Sequence, residues 1–181
     1  MANNSAKPAW SVPVSLSEIP EGGKHFDLIA DETTRAAVAA LAGLRSLPRL
    51  QASFDVTRYG QGGLKVDGEV SATVGQNCVV TLDPLDNEVR EEINLVFAPP
   101  RQRGGKHDDG DEIDILDLNE PEPMDREGVD LGVLATEFLM VGIDPYPRKP
   151  DATFAAPAAD DESERPFAVL AALKRPPEGK K

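Results

Sequence analysis

The residues of this chain best suited to chemistry are few and far apart. Cys78 is the single cysteine, and His25 and His107 are the two histidines. A zinc site needs about four Cys, His or acidic ligands at close spacing, which these residues do not supply. The expectation is no metal and no cofactor. A Cys–His nucleophile pair would need Cys78 beside one of the histidines, and nothing in the sequence brings them together. Cys78 reads instead as a small buried apolar residue, the common state of a free cysteine. The run from Asp109 has acids at the first, third and ninth positions of a calcium loop and Glu120 at the twelfth. Ile113 and Asp114, however, stand at the fifth position and at the turn position that demands glycine, so the match fails. Gly104-Gly105-Lys106 resembles the end of a phosphate loop, but Pro100 stands where its first glycine belongs and His107 replaces the Ser or Thr. With 32 aspartates and glutamates, chance pairs of carboxylates are unavoidable, and their number does not indicate acid–base catalysis. The chain therefore reads as a non-enzyme, with no catalytic, cofactor-binding or metal residues.

Two groups of cations are candidates for phosphate contact. Arg45, Arg49, Arg58 and Lys65 surround a predicted hairpin, and Arg101, Arg103 and Lys106 lie in a glycine-rich loop. The second group is the better RNA-binding candidate, because arginines interleaved with glycine can follow a backbone and order on binding. Aromatic residues make up only 5% of the chain, which argues against a stacking platform. The net charge of −13 repels phosphate overall and favours basic partners, so RNA contact would need this local patch or a protein intermediary. From Asp108 to Glu137 the acids outnumber the bases heavily, Arg126 being the one base, and this stretch could contact a basic protein.

The elements that must position these residues follow from periodicity. Trp10 to Leu16 alternates as a half-buried strand, placed at a sheet edge by Pro13. Glu21-Gly22-Gly23 is a turn, and His25 to Ala30 a second strand. Asp31 or Thr33 caps an alanine-rich helix ending near Gly43, with Val38, Leu41 and Ala42 on one face. Leu50 to Arg58 and Leu64 to Val74 form a hairpin about Gln61-Gly62-Gly63, with Gly68 marking a bulge. A further strand is expected over Cys78 to Leu82, turning at Asp83-Pro84. Val89 to Phe97 follows, its apolar face interrupted by Glu91. Ile113 and Ile115 suggest a short strand within the acid run. Asp130 caps a helix over which Leu131, Leu134, Phe138 and Val141 form the main stripe, with Leu139 and Met140 making it apolar nearly all round and so buried on more than one side. Pro166 opens a last short helix, PFAVLAALK, with Phe167, Leu170 and Leu173 as its stripe.

These elements predict an α+β fold: an antiparallel sheet or partly closed barrel of roughly five to seven strands, packed by helices starting at Asp31, Asp130 and Pro166. The expected layout is a flexible N-terminus at 1–9 and a single domain at 10–174, followed by a disordered tail at 175–181. Within the domain a mobile loop is expected at 99–110 and a linker at 151–165. The one cysteine excludes an internal disulfide. The first residues lack the pattern of a secretory signal and no apolar stretch has membrane-spanning length, so the expected location is the cytoplasm with no membrane partner.

Three blocks carry a resemblance: VDGEVSATVGQNCVVTLDPLDNEVREEINLVFAP, then VDLGVLATEFLMVGIDPYPRKP, then RPFAVLAALK. In that order, with the acid run between, they are similar to the bacterial YceD family, described as large ribosomal RNA subunit accumulation proteins. The resemblance implies a cytoplasmic factor for synthesis, processing or stability of 23S ribosomal RNA. The implied partner is ribosomal RNA or a pre-50S particle, reached directly or through a basic ribosomal protein. Many members carry C-x-R-C-L in the first block, whereas here Cys78-Val79-Val80-Thr81-Leu82 keeps only the first cysteine and the leucine. A role of paired cysteines does not carry over. An acidic adaptor or chaperone without RNA contact and an RNA-processing enzyme are the alternatives, the latter requiring several acids poised at a metal cleft.

Overall fold

The computed structural model describes residues 8–99, 121–124 and 128–154. Its elements are β1 (Pro13–Val14), β2 (Lys24–Ile29), α1 (Glu32–Leu41), β3 (Ser46–Tyr59), β4 (Gly63–Asn77), β5 (Pro84–Ala98), β6 (Glu122–Pro123), β7 (Val129–Asp130) and α2 (Leu131–Gly142). The fold is α+β. A five-stranded sheet has the order β2-β3-β4-β5-β6, antiparallel throughout except for β6, which runs parallel to the end of β5. The sheet is open, not closed into a barrel. The candidate RNA-binding residues Arg101, Arg103 and Lys106, the strand expected at Ile113 and Ile115, and the helix expected from Pro166 lie outside the described residues.

β3, β4 and β5 are long because apolar and polar residues alternate over most of their length. Leu50, Ala52, Phe54 and Val56 on β3 and Val66, Val70, Ala72 and Val74 on β4 point to one face and are buried. Gly60 and Gly62 take positive φ in the β3–β4 turn, the backbone that a tight hairpin requires. Gly68 is not a bulge: it pairs in register with Phe54 and Ile93. A Cβ there would come within 2.5 Å of the Phe54 ring, so glycine makes room for the aromatic of the neighbouring strand. The register irregularity falls instead in β3, between Ser46 and Arg49. Glu91 stays on the inward face between Val89 and Ile93 without slipping the register, because its side chain lies beside Gly142 at the end of α2.

The helices cover this face. Asp31 caps α1, its carboxylate accepting the Thr34 amide at 2.7 Å, and the helix buries Val38 and Ala39. Leu41, expected on the same stripe, is exposed. α2 packs on β4 and β5 and also meets β1, which explains an apolar surface wider than one stripe. Leu131, Leu134, Ala135 and Leu139 are its buried core. The expected stripe is rotated at its C-terminal end: Phe138 is half-buried, and Val141 is 79% exposed.

Two expected strands differ. Trp10 to Leu16 contributes only Pro13–Val14, which pairs with β7 in a separate two-stranded sheet. The Asp130 carboxylate takes the Val12 amide and the Ser11 hydroxyl, drawing this segment to the start of α2 and away from the edge of the main sheet. Cys78 to Leu82 is a turn. β4 runs on to Asn77, and the Cys78 amide donates to the Asp83 carbonyl at 2.8 Å, closing the connection to β5.

The burial pattern predicts the order of two core substitutions. Leu139→Ala, at a fully buried site, is expected to lower unfolding stability by about 2 to 5 kcal/mol. Phe138→Ala is expected to cost clearly less. Denaturant midpoints of the two variants check the order, and a reversal would place the α2 core on the stripe through Phe138.

Candidate functional site

One face of the main sheet is apolar and covered; the other is open and polar. Register places its side chains in cross-strand rows. His25, Asp55, Asp67 and Asn94 form one row, and Asp27, Ser53, Glu69 and Glu92 the next. Ile29, Gln51, Ser71 and Arg90 follow, then Arg49, Thr73 and Glu88. The strands fix this surface rigidly, since each backbone carries its side chains out at a two-residue period.

Arg49 is the centre of one cross-strand network. Its guanidinium donates to the Ser71 hydroxyl at 2.8 Å, to Glu88 at 2.6 Å and, at 3.4 Å, to the Thr73 hydroxyl, which itself donates to Glu88 at 2.6 Å. Hydrogen bonds from Thr73 and then Arg49 hold the Glu88 carboxyl below its usual range. Arg90 donates to Glu69 at 2.5 Å, and that carboxylate raises the Arg90 pKa further. Together Arg49, Glu69, Ser71, Glu88 and Arg90 border a shallow hollow of about 360 Å³. Arg45 pairs with Asp86 at 2.8 Å and Lys65 with Asp67 at 2.8 Å. Arg58 lies apart from these, its Nε donating to the Ile19 carbonyl at 2.6 Å. The hairpin cations are thus spread over the sheet and committed to carboxylates or a carbonyl. They do not form one phosphate-binding patch.

A Ser–His–Asp proximity on the same face was not evident from the sequence. His25 Nδ1 lies 2.8 Å from Asp55, while Nε2 lies 3.2 Å from Asp27 and 3.4 Å from the Ser53 hydroxyl. A signal was present, because H-x-D at 25–27 and S-x-D at 53–55 place these residues on the same face of adjacent strands. A catalytic histidine must be neutral and accept the serine proton. Here Asp55 and then Asp27 raise the His25 pKa, favouring the protonated ring, and Asp27 competes with Ser53 for Nε2. The cluster is therefore a cross-strand ion network. Among the described residues, no group of three or more His, Cys, Asp or Glu is arranged to hold a metal ion.

Cys78 is fully buried, as its reading from the sequence expects, and the turn around it bears on its ionisation. A hydrogen bond from the Thr81 hydroxyl, joined by the backbone amides of Lys149, Thr81 and Val80, lowers its pKa to about 6 and outweighs the opposing desolvation. The turn is closed by the Val79 amide donating to the Pro147 carbonyl at 2.9 Å and by Lys149 donating to Asp83 at 3.1 Å. His25 is remote: it sits in the row of Asp67, eleven residues along β4 from Cys78, about 36 Å at strand rise. The turn thus favours the ionised form of the thiol over the neutral one. Because its folded pKa lies below that of the unfolded thiol, the contribution is present in full above the unfolded value and is lost as pH falls through about 6. The stability difference between the native chain and Cys78→Ser is therefore expected to grow between pH 5 and pH 9 in denaturant titrations. A difference that stays constant over this range would show a neutral thiol.

Comparison with known proteins adds the family. A family model described as "Large ribosomal RNA subunit accumulation protein YceD" matches residues 66–174. No curated protein matches the chain, and no solved structure does. The matched span begins in β4 and includes the Cys78 turn, β5, Asp130 and α2, which carry part of the covered core and part of the open face. Since it covers more than half of the sequence, the chain belongs to the YceD family.

Proposed function

We propose that this protein is a non-catalytic factor that promotes accumulation of the 23S ribosomal RNA during large-subunit assembly in the cytoplasm. The observation that carries the proposal is the match over residues 66–174 to a family described by large ribosomal RNA accumulation. The geometry of the open face favours binding over cleavage, because its His25, Glu88 and Arg90 are engaged with partners and not poised toward a shared reacting atom. Of the nine lysines and arginines among the described residues, five lie within ion-pair distance of a carboxylate. Such pairs add little stability at a surface, but they neutralise the charges that RNA would need. Together with the net charge of −13, this supports contact with the pre-50S particle through a basic ribosomal protein.

A second reading, direct RNA contact, is favoured by one feature: Arg101, Arg103 and Lys106 cluster between Pro99 and His107 without an intervening acid. Cells lacking the protein are expected to contain less 23S relative to 16S RNA, and the purified chain is expected to bind a basic large-subunit protein or ribosomal RNA without cutting RNA. Replacing Arg101, Arg103 and Lys106 together by alanine separates the routes. Direct contact would lose about three phosphate interactions and flatten the logarithmic salt dependence of RNA binding by roughly two to three. Protein-mediated contact would leave capture of the basic protein unchanged. Metal-dependent RNA cleavage, abolished by one acid substitution, would overturn the proposal.

A further inference from the structure

An apolar patch lies at one end of the molecule, where the β4–β5 turn meets the end of α2. Leu82 is 76% exposed, Tyr146 71% and Met140 44%, alongside Val79 and Val141. Isolated exposed apolar residues are ordinary, but these lie on segments tied to one another. The Val79 amide donates to the Pro147 carbonyl, Gln76 Nε2 donates to the Asp144 carbonyl at 2.8 Å, and Lys149 reaches Asp83. Met140 and Val141 form the last turn of α2, directly before Asp144 and Tyr146. Leu82 holds a left-handed φ of 62°, a conformation unfavourable for a leucine. It is retained by the Leu82 amide donating to the Cys78 carbonyl and the Cys78 amide donating to the Asp83 carbonyl. A strained turn that holds a leucine outward, beside exposed residues of a helix, suits a surface that another apolar element covers.

We propose that the cover is residues 166–174 of the same chain, packed through Phe167, Leu170 and Leu173. The segment lies outside the described residues, and three observations select it. The family match extends to residue 174, beyond the linker sequence, so it spans both patch and segment. Nine residues are too few to hold a helix alone in water, so a stripe of this length needs an apolar surface to form. The charges also complement: Glu137 and Asp144 lie beside the patch, and Lys174 and Arg175 directly follow the stripe. Reach is not limiting. The chain is fixed on the patch at Lys149, and the 17 residues from there to Pro166 span up to about 56 Å when extended. A tether of this kind gives an effective concentration on the order of millimolar, which favours the intramolecular partner over a foreign one.

The full-length chain labelled at its methionine methyl groups provides the test, since only Met1, Met124 and Met140 report and only Met140 borders the patch. In the native chain the Met140 methyl is expected to be shielded from a soluble paramagnetic agent at every protein concentration. Leu170→Asp should expose it severalfold while leaving Met124 unchanged, and Ala172→Asp, on the opposite side of the stripe, should leave Met140 shielded. Three results would each overturn the proposal. The methyl could already be accessible and insensitive to Leu170→Asp. Its shielding could depend on protein concentration, which assigns the patch to a second copy. Ala172→Asp could have the same effect as Leu170→Asp.

Discussion

The Asp130 carboxylate is the contact on which the arrangement of the layers depends. One oxygen accepts the Val12 amide at 2.7 Å, the Gly132 amide at 3.0 Å and the Val133 amide at 3.1 Å, and the other accepts the Ser11 hydroxyl at 2.6 Å. The same side chain thus caps α2 and latches a segment more than a hundred residues earlier in the chain. Charge-assisted bonds of this kind are stronger than neutral ones, and a negative charge at a helix start is favoured by the helix dipole. The Leu131 amide donates in turn to the Val12 carbonyl at 3.0 Å. Gly132 completes the junction, since a Cβ there would meet the Trp10 carbonyl carbon at 2.9 Å. The latch brings Trp10 and Val14 into the core beside Val129, Leu131 and Leu134. This gives α2 a second apolar neighbour besides the sheet.

With one face covered in this way, the sheet presents the other as a fixed polar surface. Its rows mix acids with the few bases, and Arg49, Lys65 and Arg90 are each drawn to a carboxylate on the same sheet. The consequence for function is electrostatic. A chain of this net charge that also commits its sheet arginines internally has little positive surface among its described residues with which to hold a phosphate backbone. Family membership points toward large-subunit ribosomal RNA, and we propose that contact is made through a basic intermediary or through Arg101, Arg103 and Lys106.

Much of the fold was legible because it follows from local rules. The Asp31 and Asp130 caps, the glycine turn between β3 and β4, and the alternation of Leu50 to Val56 and Leu64 to Val74 each have a cause within a few residues. Other features depend on partners distant in sequence. The pairing of Pro13–Val14 with Val129–Asp130 is set by the Asp130 latch, and which residues of α2 are buried depends on its packing against β4, β5 and β1. Alternation at Cys78 to Leu82 could not reveal a turn held by Pro147 and Lys149. Part of the Cys78 environment was hidden for the same reason, because the Lys149 amide that favours its ionised form comes from a distant segment. The Arg49–Thr73–Glu88 and His25–Asp55–Asp27 networks require knowledge of register, which no single strand carries.

The account holds that this chain serves the large ribosomal subunit by binding and not by cutting. The most direct test is recovery of the tagged full-length protein from its own cells at low salt, with the bound RNA sequenced and the bound proteins identified. The account predicts enrichment of large-subunit RNA or of basic large-subunit proteins over their small-subunit counterparts, with the RNA ends unaltered by incubation with the purified chain. Equal recovery of both subunits, or new RNA ends produced by the protein itself, would contradict it.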